Sequence, residues 1–163
     1  ASVRKEIKIR IPAGIEDGTQ LRVAGEGEPG SEGAPRGDLY CVVRVKEHAI
    51  FSRQGDDLVC VMPISFTQAA LGTEVEVPTL KGRTRMKIPA GTQSGQVLRL
   101  RGMGLSNVNG YGRGDQLVQV LIETPTKISS RQETLLRELA KLEEVEVTPE
   151  RRKFFDQVKK YFS

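Results

Sequence analysis

The chain has 163 residues, enough for one domain or two small ones, with 28% charged and 37% hydrophobic residues. It has no apolar run long enough to span a bilayer and no signal-peptide pattern at its start, so no membrane partner and a cytoplasmic location are expected. The formal net charge is +4, of which residues 149–163 carry +3; the nearly neutral remainder disfavours nucleic-acid binding.

In chain order, residues 7–11 (Ile-Lys-Ile-Arg-Ile) alternate strictly and predict a half-buried strand with Ile7, Ile9 and Ile11 on one face. Pro12-Ala13-Gly14 ends it, and Asp17-Gly18 turns the chain into a short return strand over 21–24. A Gly/Pro-rich loop runs from Gly25 to Gly37. Residues 39–45 then predict a strong strand with Leu39, Cys41, Val43 and Val45 on one face. Gly55-Asp56-Asp57 turns into a strand over 58–62. Residues 67–71 predict one helical turn, with Thr67 as N-cap and Gly72 as its stop. Residues 74–77 and 84–88 predict a hairpin around Lys81-Gly82, and 117–122 the last strand.

Thr124-Pro125 closes the β-rich region. Ser129 with Gln132, and Ser130 with Glu133, are overlapping capping-box patterns. Leu135, Leu136, Leu139 and Leu142 follow at helical spacing, which predicts a helix over 131–142 with one apolar face. Thr148-Pro149 starts a second helix, whose Phe154, Phe155, Val158, Tyr161 and Phe162 form an aromatic-rich stripe. That stripe either packs on its own domain or meets a second copy of itself; the same helix carries Arg151, Arg152, Lys153, Lys159 and Lys160, which must then sit at the rim of the contact.

The chain also contains an internal repeat. Ile11-Pro12-Ala13-Gly14 recurs as Ile88-Pro89-Ala90-Gly91, Gly18 as Gly95, and Leu21-Arg22 as Leu98-Arg99. Gly25-x-Gly27 recurs as Gly102-x-Gly104, and Arg36-Gly37-Asp38 as Arg113-Gly114-Asp115, every pair 77 positions apart. The chain therefore holds two copies of one β-rich unit. Strand material at 58–77 precedes the second copy, and its counterpart would fall before Ala1. The first unit is thus expected to be incomplete, and the chain to be a piece of a longer protein.

Comparing the copies separates two sets of positions. Ile9/Met86, Ile11/Ile88, Val43/Val120 and Val45/Ile122 are apolar in both and are expected in the core. Ile7, Leu39 and Cys41 correspond to Thr84, Gln116 and Val118, and are expected to form an exposed apolar groove. The alternative is that they covered strands absent from the chain.

Other motifs have plain readings. Gly25-Glu-Gly27-Glu-Pro-Gly30 matches a dinucleotide fingerprint, but Pro29 and a loop follow where a helix must start, so these glycines read as turn residues. Both Arg-Gly-Asp triplets precede a strand and read as turn and strand entry. Cys41 and Cys60 read as buried free thiols of a reducing cytosol, a structural disulfide being the alternative; with one histidine they make no zinc site. Nothing singles out a catalytic constellation, so no enzyme is expected.

A family likeness is carried by Ile11-Pro-Ala-Gly14, Gly25-Glu-Gly27, Gly37-Asp38-Leu39, His48-x-x-Phe51-x-Arg53-x-Gly55-x-Asp57-Leu58, Ala70-Leu71-Gly72, Val77-Pro78-Thr79-Leu80-x-Gly82 and Phe155-Asp156-x-Val158-Lys159. In this order, over nearly the whole chain, they resemble the C-terminal region of the bacterial DnaJ-type J-domain co-chaperones. The resemblance implies a mainly β fold of two tandem related β-sandwich subdomains, the first truncated, followed by short C-terminal helices. It implies boundaries at 1–46 (client-binding side), 47–125 and 126–163 (dimerisation segment). It also implies binding of unfolded or partly folded client polypeptides, delivery to a DnaK-type chaperone, and a homodimer.

By the same likeness, Ile7 and Cys41 fall on pocket-lining positions, which gives Ile7, Ile9, Leu39 and Cys41 as the expected peptide site and Phe154, Phe155, Val158, Tyr161 and Phe162 as the expected dimer face. The family's His-Pro-Asp loop and its CxxCxGxG zinc motifs are absent, so no ATPase stimulation and no cofactor are expected of this chain, zinc belonging to the region upstream. The rival reading is a purely structural assembly module without a peptide site.

Overall fold

Alternation of apolar and polar residues along two long strands organises the fold. The structure, a computed structural model, describes residues 3–145 and 148–163. Its strands in chain order are β1 (Gln20–Val23), β2 (Leu39–Val42), β3 (Ser52–Gln54), β4 (Asp57–Ser65), β5 (Thr73–Thr79), β6 (Gly82–Ile88), β7 (Val97–Leu100) and β8 (Gln116–Glu123). The helices are α1 (Phe66–Leu71), α2 (Ser130–Val145) and α3 (Pro149–Phe162). Ala1–Glu123 and Thr124–Ser163 form separate units.

In the first unit, β4 and β8 pair in parallel, with Leu58 opposite Gln116 and Ile64 opposite Ile122. β3 and β7 flank them antiparallel, giving the order β3-β4-β8-β7. Side chains alternate across a strand, so Leu58, Cys60 and Ile64 of β4 share the inner face with Gln116, Val118 and Val120 of β8. The β5–β6 hairpin brings Val77, Met86 and Ile88 against that face, and α1 adds Ala69. Two apolar faces closed on one another make a β-sandwich, and each aliphatic side chain buried between them contributes about 1.5–3 kcal/mol.

The internal repeat holds at the level of single hydrogen bonds. β1 pairs β2 with Gln20 opposite Val42, as β7 pairs β8 with Val97 opposite Gln119. The Val43 amide donates to the Thr19 carbonyl and the Val120 amide to the Gln96 carbonyl, both at 2.8 Å. The difference lies in what surrounds the pair. β8 has β4 along its other edge and the β5–β6 hairpin over its inner face, whereas among the described residues β2 pairs with β1 alone.

That difference overturns several sequence expectations. Residues 7–11 form no strand. Their counterpart β6 is held by β5, whereas no strand among the described residues pairs with 7–11; Ile9 and Ile11 are 39% and 60% exposed rather than core, and Val45 is 51% exposed. The strand expected over 39–45 ends at Val42, although Val43 keeps its bonds to Gly18 and Thr19, just ahead of β1. β3 was not foreseen. The N-cap of α1 is Ser65, not Thr67: its side chain accepts from the Gln68 amide at 3.1 Å while the Gln68 side chain accepts from the Ser65 amide at 3.0 Å. Gly72 does stop the helix.

In the second unit, the Ser129–Gln132 capping box forms at the start of α2, with bonds of 2.7 and 3.1 Å. Glu133 of the overlapping pattern pairs instead with Arg137 at 2.6 Å. α3 starts at Pro149 after an extended Thr148. The apolar residues of both helices stay largely exposed.

Candidate functional site

The β1–β2 ribbon gathers part of the expected groove. Leu21 stands opposite Cys41 and Val23 opposite Leu39, so these four half-buried side chains share one face. Tyr40 and Val42 face the other way and are 58% and 48% exposed. In this antiparallel pair the backbone groups of Leu39, Cys41 and Val43 turn toward β1, and those of Tyr40 and Val42 face away from it, as Leu117 and Gln119 of β8 face β4.

Ile7 is half-buried and Ile9 exposed, both outside any ladder. Their segment is tied to the loop after β1 by a 2.8 Å ion pair between Lys5 and Glu26. The structure thus brings Leu39 and Cys41 together with Leu21 and Val23, and does not join Ile7 and Ile9 to them by strand pairing. Gln116 and Val118, the counterparts of Leu39 and Cys41, are fully buried under the β5–β6 hairpin. Position 116 is therefore core under the β5–β6 hairpin, and its counterpart Leu39 is half-buried.

The loops beside both strand pairs are built alike, and this accounts for the Arg-Gly-Asp triplets. Arg36 and Arg113 donate to the Gly27 and Gly104 carbonyls, at 3.1 and 3.0 Å. The Gly27 and Gly104 amides donate to the Gly37 and Gly114 carbonyls, at 2.8 and 2.9 Å. Asp38 accepts from the Gly25 amide and pairs with Arg22; Asp115 accepts from the Gly102 amide and pairs with Arg99. The backbone N–H first, and the guanidinium second, hold both carboxyls below the ordinary aspartate range.

Sequence reasoning missed the junction between the copies. Arg53 on β3 reaches back to the first copy and donates to the Ile15 carbonyl at 2.6 Å and the Gly14 carbonyl at 2.7 Å. Gly14 lies so close to the second copy that an added Cβ would fall 1.9 Å from the Ser106 carbonyl oxygen. Beside the clasp opens a cleft of about 710 Å³ lined by Val45, Phe51, Leu58, Leu80 and Leu105, with His48 at its edge. The signal in the sequence was Phe51-x-Arg53-x-Gly55 between the copies, but the partners of Arg53 in the first copy lie 38 and 39 residues back and no periodicity links them.

Both cysteines are free; Cys60 is buried and Cys41, contrary to expectation, only half-buried. Burial pushes the Cys60 thiol above its ordinary range, against a weaker opposing contact from Gln116. Among the described residues, no group of three or more His, Cys, Asp or Glu side chains is placed to hold a metal ion, and no helix is long and apolar enough to cross a membrane.

A β-sandwich, a second copy of its outer strand pair with the same Gly/Arg/Asp loops, and a helical C-terminal unit define the class, and comparison places it: residues 1–125 match the DnaJ C terminal domain and residues 131–163 the chaperone protein DnaJ C-terminal region, so this chain belongs to the DnaJ C-terminal domain family. It is 53% identical over 159 residues to the chaperone protein DnaJ of Bacillus licheniformis, covering 98% of this chain and 42% of that protein. It is 55% identical over 161 residues to that of Geobacillus kaustophilus, with the same coverage, and 57% identical over 140 residues to that of Brevibacillus choshinensis, covering 86% of this chain and 37% of that protein. The chain spans less than half the length of these relatives.

Proposed function

We propose that this chain is the client-binding and dimerising part of a cytoplasmic DnaJ-type co-chaperone, which holds apolar segments of unfolded polypeptides for transfer to a DnaK-type chaperone. The observation that carries this reading is the half-buried apolar face that the β1–β2 register builds from Leu21, Val23, Leu39 and Cys41. An extended segment would lie along a strand edge of the first copy, and its backbone bonds would be indifferent to sequence. One apolar side chain would enter beside Leu39 and Cys41, with Ile7 and Ile9 closing over it.

Burying one Leu or Phe contributes about 1.5–3 kcal/mol, part of which offsets the ordering of the segment, so a single site is weak and pairing two sites in a dimer gains by avidity. Phe154, Phe155, Val158, Tyr161 and Phe162, all on α3, supply the face for a second copy; four of the five are at least half exposed.

Titration with a fluorescent Leu-rich peptide tests the site. Ile7→Ser and Cys41→Asp should weaken binding with the fold intact, whereas Thr84→Ser, at the counterpart of Ile7, should leave it unchanged. Equal weakening by Thr84→Ser would refute the site. A parent chain that dimerises but binds no peptide would favour the purely structural reading.

A further inference from the structure

α2 and α3 carry apolar stripes of one shape. Leu135, Leu136, Leu139 and Leu142 recur 19 positions later as Phe154, Phe155, Val158 and Tyr161. With 3.6 residues per turn, each set covers the same arc of its helix. Only three residues separate the helices, yet both stripes are open: Leu142 is 68% exposed, Tyr161 82% and Phe162 79%.

The charges beside the stripes are opposite. Glu133 and Glu144 border the Leu136 side of α2, with Glu143 just inside it, and Arg152 and Lys159 border the Phe155 side of α3, with Arg151 just inside it. Over the helices as bounded here, α2 carries −1 and α3 carries +3. Several of these charges also oppose their own helix. Glu143 and Glu144 sit in the last turn of α2, which has no basic residue, and Arg151 and Arg152 sit in the first turn of α3. The helix dipole favours the reverse placement at both ends. Their position is unfavourable within each helix and favourable only between helices.

We propose that the stripe of α3 docks antiparallel on the leucine stripe of α2 in a second copy of this chain, and reciprocally, so that two α2–α3 contacts hold the dimer. The antiparallel arrangement sets Glu143 and Glu144 against Arg151 and Arg152, and Glu133 against Lys159. Pairing α3 with α3 would instead face five cations with five. The four aromatic side chains of one stripe bury about 600–1,000 Å² in full contact, so the two stripes of a dimer reach about 1,200–2,000 Å², the size of a stable interface. This inference rests on the reading that the C-terminal unit dimerises.

The test uses the full chain and two variants, E143K/E144K and R151E/R152E. Both substitutions suit their own helix dipole, so helical content by circular dichroism should be retained. In sedimentation equilibrium each variant alone should dimerise at least about tenfold more weakly than the parent. An equimolar mixture should recover a heterodimer, because one of its two contacts is unchanged and the other is reversed on both sides. The parent dimer should weaken as salt is raised. An E143K/E144K variant that dimerises as tightly as the parent, or a mixture that recovers nothing, overturns this pairing while leaving the dimer reading in place. A parent chain that stays monomeric at every concentration overturns the dimer reading and this pairing with it.

Discussion

Two equivalent glycines allow the junction between the copies to be weighed against an internal control. Gly14 and Gly91 have the same backbone conformation, with φ of +83° and +82°. Alanine at either position carries the left-handed penalty of about 1–2 kcal/mol. For Gly91 that is the whole cost, because nothing lies within 4 Å of an added Cβ. At Gly14 the Cβ would meet the Ser106 carbonyl oxygen at 1.9 Å, a backbone atom that cannot rotate away, so the loop must retreat by about 1 Å.

That retreat pulls the Gly14 and Ile15 carbonyls off the Arg53 guanidinium. A hydrogen bond to a charged group contributes about 1.5–3 kcal/mol, toward the lower end where the group is partly solvated. Gly14→Ala should therefore cost about 1.5–3 kcal/mol more than Gly91→Ala. Hydrogen exchange reads the copies separately, through the amides of Gly18 and Val43 in the first and Gly95 and Val120 in the second. In Gly14→Ala, protection should fall at Gly18 and Val43, and by more than Gly91→Ala lowers it at Gly95 and Val120. Equal losses would refute the claim that the copies are clamped by backbone contact and Arg53.

Two further outcomes follow from local chemistry. Asp38 and Asp115 titrate below the ordinary range when folded, so the stability they confer is present above about pH 4 and is lost as pH falls through the lower folded values; Asp38→Asn and Asp115→Asn should flatten the acid limb of the urea midpoint, and variants with the parent's full pH dependence would contradict the loop assignment. Ser65→Ala should destabilise by about 0.5–2 kcal/mol through loss of the α1 capping box, whereas Thr67→Ala should cost clearly less by urea unfolding.

How far the sequence was legible depended on distance along the chain. The repeat register survives down to single hydrogen bonds, because identical turn residues impose identical loops. The β5–β6 hairpin and the Gly72 stop were readable from alternation and turn chemistry over a few residues. Alternation at 7–11 misled, since a strand needs a partner and none of the described strands pairs with this segment. Ser65 was missed because Phe66, an apolar residue, occupies the first helical position and made the helix look later than it is. The Arg53 clasp joins groups 38 and 39 residues apart, beyond any local pattern. For the site, Leu39 and Cys41 were found by comparing the copies, but their neighbours Leu21 and Val23 emerge only from the cross-strand register.

The central claim, that the β2 face receives an apolar segment, is tested most directly at Cys41 itself. Alkylation of the folded chain should modify the half-buried Cys41 and spare Cys60, whose burial both shields the thiol and disfavours the thiolate. Saturating Leu-rich peptide should then slow modification of Cys41 in proportion to occupancy, with Cys60 as the internal control. A Cys41 rate unchanged at full occupancy would place the peptide elsewhere and contradict the account.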